Sequence, residues 1–254
     1  MVNDVTDSHD PWAGSKALTG AAIITGSLKV AEMAGRVGFD LVWIEVEHGG
    51  ASWNEVEAQC MAADSGGAVP CVRVPDNGRQ SILRALETGA RMVIVPMIDD
   101  ADAAREIVRH GKFPPLGERG FNSRSRGLNY SLDPLLEVFP RANAETFLIA
   151  QVESMTAVAN LEAICGVEGI AGILVGPGDL SVSYGKPGAF TDPEYIAFVA
   201  DLMRRARACG VHAGILVAPG PLLQTARDAG CDFFYCAGDI NDLARTWKGV
   251  LAGL

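Results

Sequence analysis

Two carboxylates draw attention because each closes an apolar run. Glu153 ends Phe147-Leu-Ile-Ala-Gln-Val-Glu, and Asp179 sits in Gly176-Pro-Gly-Asp-Leu-Ser. Two like charges brought to one point are costly unless a proton or a cation lies between them. An oxygen site with only two protein carboxylates suits magnesium, manganese or cobalt and leaves positions for water and substrate. Each residue also has a plain structural alternative, a turn cap for Asp179 and an ion pair with a barrel arginine for Glu153.

Three more residues belong with this pair. Gln151 stands two positions before Glu153 and points the same way along an extended strand; it would support a substrate, or simply fill a core hydrogen bond. Arg73 interrupts the apolar Val72-Arg-Val-Pro, and a charge there needs a partner. Its planar fork would grip a carboxylate or steady an enolate oxygen, or pair with a neighbouring glutamate. His48 follows Glu45-Val-Glu47 and precedes Gly49-Gly50, whereas His9, His110 and His212 have no comparable setting. An imidazole beside carboxylates is suited to general-base work near neutral pH, although a lone histidine is often structural.

Something must bring these positions together. Eight apolar runs recur along the chain, at 21–27, 41–47, 69–74, 92–98, 147–153, 172–176, 213–217 and 233–237. They are continuous Val/Ile/Leu runs, as expected of parallel strands covered on both faces. Amphipathic stretches separate them. In 79–87, Ile82, Leu83 and Leu86 share one helical face; the stretch from Asp99 has acidic residues at its start. Gly38, Gly66, Gly89, Gly210 and Gly230 are expected to close helices. Eight strand–helix units in 254 residues predict a single (β/α)8 TIM barrel over 1–254, with 1–15 as a flexible N-terminal segment. A doubly wound sheet fits less well, because no GxGxxG follows the first strand. In a barrel, residues at the carboxyl ends of the strands form the active site, and Glu45, Glu47, His48, Arg73, Gln151, Glu153 and Asp179 fall there. The connection 112–130 is unusually long and rich in Pro and Gly, which marks a functional loop or an oligomer contact.

Composition narrows the function classes. With 48% hydrophobic residues and a formal charge of −10, the chain has material for a large core and an acidic surface that disfavours nucleic acid and anionic membranes. No apolar run is long enough to span a bilayer, and the polar start does not read as a secretory signal. The six cysteines form no CxxC pair and are expected to be free thiols in a reducing cytoplasm.

Taken in order, 39–48, Val72-Arg-Val-Pro, Val95-Pro-Met, Phe113-Pro-Pro-Leu-Gly-Glu-Arg-Gly, Gln151-Val-Glu and Gly176-Pro-Gly-Asp-Leu-Ser resemble the HpcH/HpaI family of class II pyruvate aldolases. The resemblance implies a TIM barrel of the phosphoenolpyruvate/pyruvate superfamily type. It also implies a reversible aldol cleavage of a 4-hydroxy-2-oxo acid to pyruvate and an aldehyde. It makes Glu153 and Asp179 the ligands of a divalent cation (Mg, Mn or Co). Arg73, Gln151, Gly176, Gly178 and Leu216 become substrate-binding, with His48 the base and Glu87 its partner, from a neighbouring subunit. It implies a hexamer, a trimer of dimers that exchange their last helix. This chain departs from the family in carrying Glu45 and Glu87 where aspartate is usual. Relatives of this fold also condense oxaloacetate with acetyl-CoA, as a citrate synthase does, or decarboxylate oxaloacetate. The acceptor pocket, including 121–130 with Arg124 and Arg126, is where such differences are expected.

Overall fold

The computed structural model describes residues 10–14 and 16–254. Strands and helices alternate as β1 (Leu18–Ile23), α1 (Leu28–Arg36), β2 (Leu41–Glu45), α2 (Trp53–Gly66), β3 (Val69–Arg73), α3 (Arg79–Glu87), β4 (Met92–Val95) and α4 (Ala101–Gly111). After an excursion come α5 (Leu135–Glu145), β5 (Phe147–Val152), α6 (Met155–Ala159), α7 (Leu161–Cys165), β6 (Ile170–Val175) and α8 (Pro177–Ser183). The chain ends with α9 (Pro193–Ala208), β7 (His212–Leu216), α10 (Pro221–Asp228), β8 (Phe233–Gly238) and α11 (Asp239–Ala252). All eight strands pair in parallel and in chain order, and β8 closes onto β1.

Side chains alternate across each strand, so each contributes one column outward and one inward. The outward column packs against the helices, as with Val42, Ile44, Val72 and Ile173. The inward column fills the barrel with Leu41, Trp43, Cys71, Met92, Ile94, Ile149, Leu174, Phe233 and Tyr235. Each fully buried Leu, Ile or Phe contributes about 1.5–3 kcal/mol. Gly20 and Gly214 make room for the largest rings: a Cβ on either would lie 2.3 Å from Tyr235 or Phe233 respectively. At the amino-terminal mouth, Trp12 stacks on His212 with ring centres 4.0 Å apart and meets Phe147 and Phe233 edge-on. The segment expected to be flexible, 1–15, otherwise lies at residues 1–9 and 15, outside the described residues.

Most element boundaries match the sequence pattern, and 79–87 is helical over its whole length. Two differ. The first strand spans Leu18–Ile23 and not 21–27, because Leu18 pairs with Phe233 while Ile24 and Thr25 turn out to donate to Asp239. Gly67, not Gly66, is the left-handed cap of α2, at φ 89°. Gly66 serves a close helix approach: a Cβ there would stand 2.3 Å from the Glu32 carbonyl of α1. The excursion after α4 holds one 3-10 turn, Arg126–Leu128. Among the described residues no helix is long and apolar enough to cross a membrane. The six cysteines are free, as expected.

Candidate active site

The inward columns change character at the carboxyl end. Trp43 gives way to Glu45, Cys71 to Arg73, Ile149 to Gln151 and then Glu153, and Leu174 to Gly176. A two-residue step keeps each on the inner face, so a polar layer caps the apolar core. Register aligns it: Glu45 is paired with Arg73 and Gln151 with Leu174.

Glu45 is 5% exposed and accepts four hydrogen bonds. Its Oε2 takes Trp43 Nε1 at 3.0 Å, Arg73 Nε at 2.8 Å and Arg73 Nη2 at 2.5 Å; its Oε1 takes the His48 backbone N–H at 2.9 Å. Glu45 therefore anchors the arginine and the start of the histidine loop together. The far end of that loop is held by a capping box on α2, in which Ser52 and Glu55 bond each other's backbone N–H. The Arg73 guanidinium lies 5.0 Å above the Trp43 ring. Glu47 reaches the same guanidinium, Oε2 to Nη1, at 2.9 Å, and lies 3.8 Å from His48 Nε2. That Oε2 is buried without a hydrogen bond, since Nη1 meets it off the N–H line.

Glu153, 4% exposed, accepts from the Met97 backbone N–H at 2.8 Å and from Gln151 Nε2 at 2.5 Å. Met97 adopts a left-handed φ of 54°, a conformation costing about 1 kcal/mol for a non-glycine residue, and the turn aims its N–H at the carboxylate. Burial raises the Glu153 carboxyl above its ordinary range, and the charges of Glu47 and Asp179 add to the effect; the bonds from Met97 and Gln151 oppose it. Burial likewise raises Glu47, against Arg73 and His48 and with Glu45 and Asp179. Asp179 lies in the first turn of α8, where Pro177 is pre-set for the first helical position. Gly176 must be small: a Cβ there would meet Glu153 Oε2 at 2.8 Å and Gln151 Nε2 at 2.9 Å, whereas a Cβ on Gly178 would face open space.

His48, Arg73, Gln151, Gly176, Gly178, Asp179 and Leu216 line a pocket of about 570 Å³; Glu153 is not part of the lining but accepts the hydrogen bond of Gln151 Nε2. The strand-end residues singled out in the sequence thus converge. Glu87 does not join them. It ends α3, which leads to the start of β4, so it stands at the opposite end of its own barrel. Arg126 is also remote: it pairs with Asp64 near the end of α2. Neither Arg124 nor Arg126 lines the pocket of its own chain. Two contributors had gone without a role: Glu47, whose signal was its two-residue step from Glu45, and Met97, whose backbone angle left no mark in the sequence.

A divalent cation fits this chemistry. The charges of Glu47 and Asp179 both act to raise the Glu153 carboxyl, and the buried Gln151 Oε1 has no partner. No group of three or more His, Cys, Asp or Glu side chains closes on one point among the described residues.

The model of the HpcH/HpaI aldolase/citrate lyase family matches residues 25–244. The chain is 35% identical to a hydroxypyruvate/pyruvate aldolase of Roseobacter denitrificans, over 87% of this chain and 86% of that protein. It is 34% identical to a 4-hydroxy-2-oxovalerate aldolase of Novosphingobium aromaticivorans, over 88% and 87%. Among solved structures, an HpcH/HpaI aldolase from Desulfitobacterium hafniense superposes with a TM-score of 0.86 at 28% identity, covering 93% and 92% of the two chains.

Proposed function

The chain belongs to the HpcH/HpaI aldolase/citrate lyase family, a carbon–carbon lyase by its aldolase relatives, and on that premise we propose how its own residues perform the reaction. The reaction is the reversible aldol cleavage of a 4-hydroxy-2-oxo acid to pyruvate and an aldehyde. The observation that carries this reading is the convergence of Asp179, Arg73, Gln151 and His48 on one pocket, with Glu153 hydrogen-bonded to Gln151.

Glu153 and Asp179 would hold magnesium, manganese or cobalt, whose Lewis acidity stabilises negative charge developing on the 2-oxo oxygen. Arg73 presents its free N–H edge to the substrate carboxylate and the nascent enolate, preorganised by Glu45 before the charge appears. Gln151 lines the substrate, and the backbone around Gly176 and Gly178 leaves space for its carboxylate end. Leu216 forms an apolar wall. In cleavage the His48 imidazole takes the proton of the 4-hydroxyl as the C3–C4 bond breaks; in synthesis it returns that proton.

Glu87 acts, in this reading, across a subunit boundary, because in its own chain it lies at the far end of the barrel. Assembly is supported by α11. Ile240, Leu243, Trp247, Val250 and Leu251 along it are exposed, and only Asp239 is buried. An apolar face of that extent suits exchange with a second copy, in dimers that build a hexamer. Condensation of oxaloacetate with an acyl thioester, as in a citrate synthase, would use the same pocket; it stands second because the curated relatives above are aldolases.

The test is deuterium exchange into the pyruvate methyl group followed by proton NMR. Exchange that requires a divalent cation and stops with EDTA supports the assignment. Absence of exchange with cation present refutes it.

A further inference from the structure

We propose that Glu47 is a positioning residue of this site: with Glu45 it fixes the Arg73 guanidinium so that its outer N–H edge meets the substrate. The inference rests on the aldolase reading and deepens it. A guanidinium carries five N–H donors in one plane. Glu45 takes Nε–H and one Nη2–H with a single oxygen, which sets one edge of the fork. One shared oxygen leaves the plane free to swing about it. Glu47, 2.9 Å from Nη1, holds the opposite side and stops that swing.

Stability alone does not account for Glu47. Glu45 already neutralises Arg73 and bonds it twice, and the Trp43 face covers it at 5.0 Å. A second carboxylate adds repulsion with Glu45 and Asp179, and burial strands its Oε2 without a hydrogen bond. Such an unfavourable arrangement at the mouth of a pocket persists where geometry is needed for function. The charged side chains facing Glu47 are Arg73 from β3, His48 and Glu45 from its own strand end, Glu153 after β5 and Asp179 from α8. Its charge therefore also opposes an anionic substrate in the ground state, while the arginine it holds favours the transition state.

The two effects separate in kinetics. Glu47→Gln keeps size and removes the charge. The cation-dependent exchange of pyruvate protons should lose about tenfold in kcat, the order expected for one close ion pair in a partly buried setting. The KM for pyruvate should fall about two- to threefold, because a unit charge roughly 8 Å away in water no longer repels the substrate. Glu47→Asp restores the carboxylate, retracted by one methylene, and should recover at least threefold of the lost kcat. Partial unfolding would lower kcat and leave KM unmoved. A kcat within twofold of the parent, a kcat loss at unchanged KM, or an Asp variant no better than the Gln variant overturns the proposal. A parent without exchange overturns the aldolase reading itself and this inference with it; a parent that exchanges beside an unaffected Glu47→Gln overturns the Glu47 assignment alone.

Discussion

Replacing Glu45 by glutamine removes one charge from the most densely bonded side chain of the site. The carboxylate is 5% exposed, and its partner Arg73 is 8% exposed. Breaking a buried pair by removing one member typically costs about 3–5 kcal/mol. Glu47 remains 2.9 Å from Nη1 and compensates part of that, and the glutamine oxygen still accepts one of the four bonds. The net expectation is therefore a loss of about 2–3 kcal/mol for Glu45→Gln and about 3–4 kcal/mol for Glu45→Ala. For a chain of this size the glutamine change corresponds to roughly 5–10 °C in Tm. Glu45→Asp, the residue usual in the family, withdraws the carboxylate by one methylene and should lose about 1–2 kcal/mol. Thermal unfolding followed by circular dichroism, with urea midpoints alongside, reads all three. The exchange activity of the glutamine variant should fall at least tenfold, since both the arginine and the histidine loop lose their anchor. A Glu45→Gln protein within about 0.5 kcal/mol of the parent refutes the assignment of Glu45 as the hub of the site.

Two further outcomes are expected. Burial pushes the thiols of Cys60 and Cys71 from an ordinary 9.0 up to about 12. The fold favours their protonated form, so this contribution is intact below pH 9 and is lost as pH rises towards 12, at about 1.4 kcal/mol per pH unit for each thiol. Lys112, lowered to about 8 by burial, works the other way between pH 8 and 10.5. Urea midpoints should thus fall above pH 9, and Cys60→Ala should flatten that slope; stability independent of pH from 9 to 11 contradicts this. The second outcome separates two neighbouring glycines. Gly176→Ala drives a methyl against Glu153 and Gln151 and should abolish exchange. Gly178→Ala meets no atom and improves helix propensity by up to about 1 kcal/mol, so the protein should unfold no earlier than the parent while KM for pyruvate rises. Equal kinetics for the two variants would contradict the placement of the pocket.

The barrel was legible because its strands are uninterrupted apolar runs and its helices carry 3.6-residue faces; 79–87 was readable to both ends. The polar layer above the barrel core was legible for the same reason: Gln151 and Glu153 share a face by strand period alone. What stayed hidden depends on register and on contacts between distant segments. That Arg73 needs a carboxylate partner is legible, but the choice of Glu45 follows from the β2–β3 register, which no local pattern encodes. The early start of β1 follows from its ladder with β8, far along the chain. The left-handed turn at Met97 is imposed by the carboxylate it serves, against the preference of its own side chain. Glu87 read as a site residue by resemblance, yet in the single chain its helix carries it to the other end of the barrel.

The central claim is that Glu153 and Asp179 together hold a divalent cation. Titration with Mn²⁺ followed by electron paramagnetic resonance reads that binding without any turnover. The account predicts one tightly bound Mn²⁺ per chain in the parent and an affinity at least about a hundredfold weaker in both Glu153→Gln and Asp179→Asn, each still folded by circular dichroism. Unchanged Mn²⁺ binding in the two folded variants would contradict it.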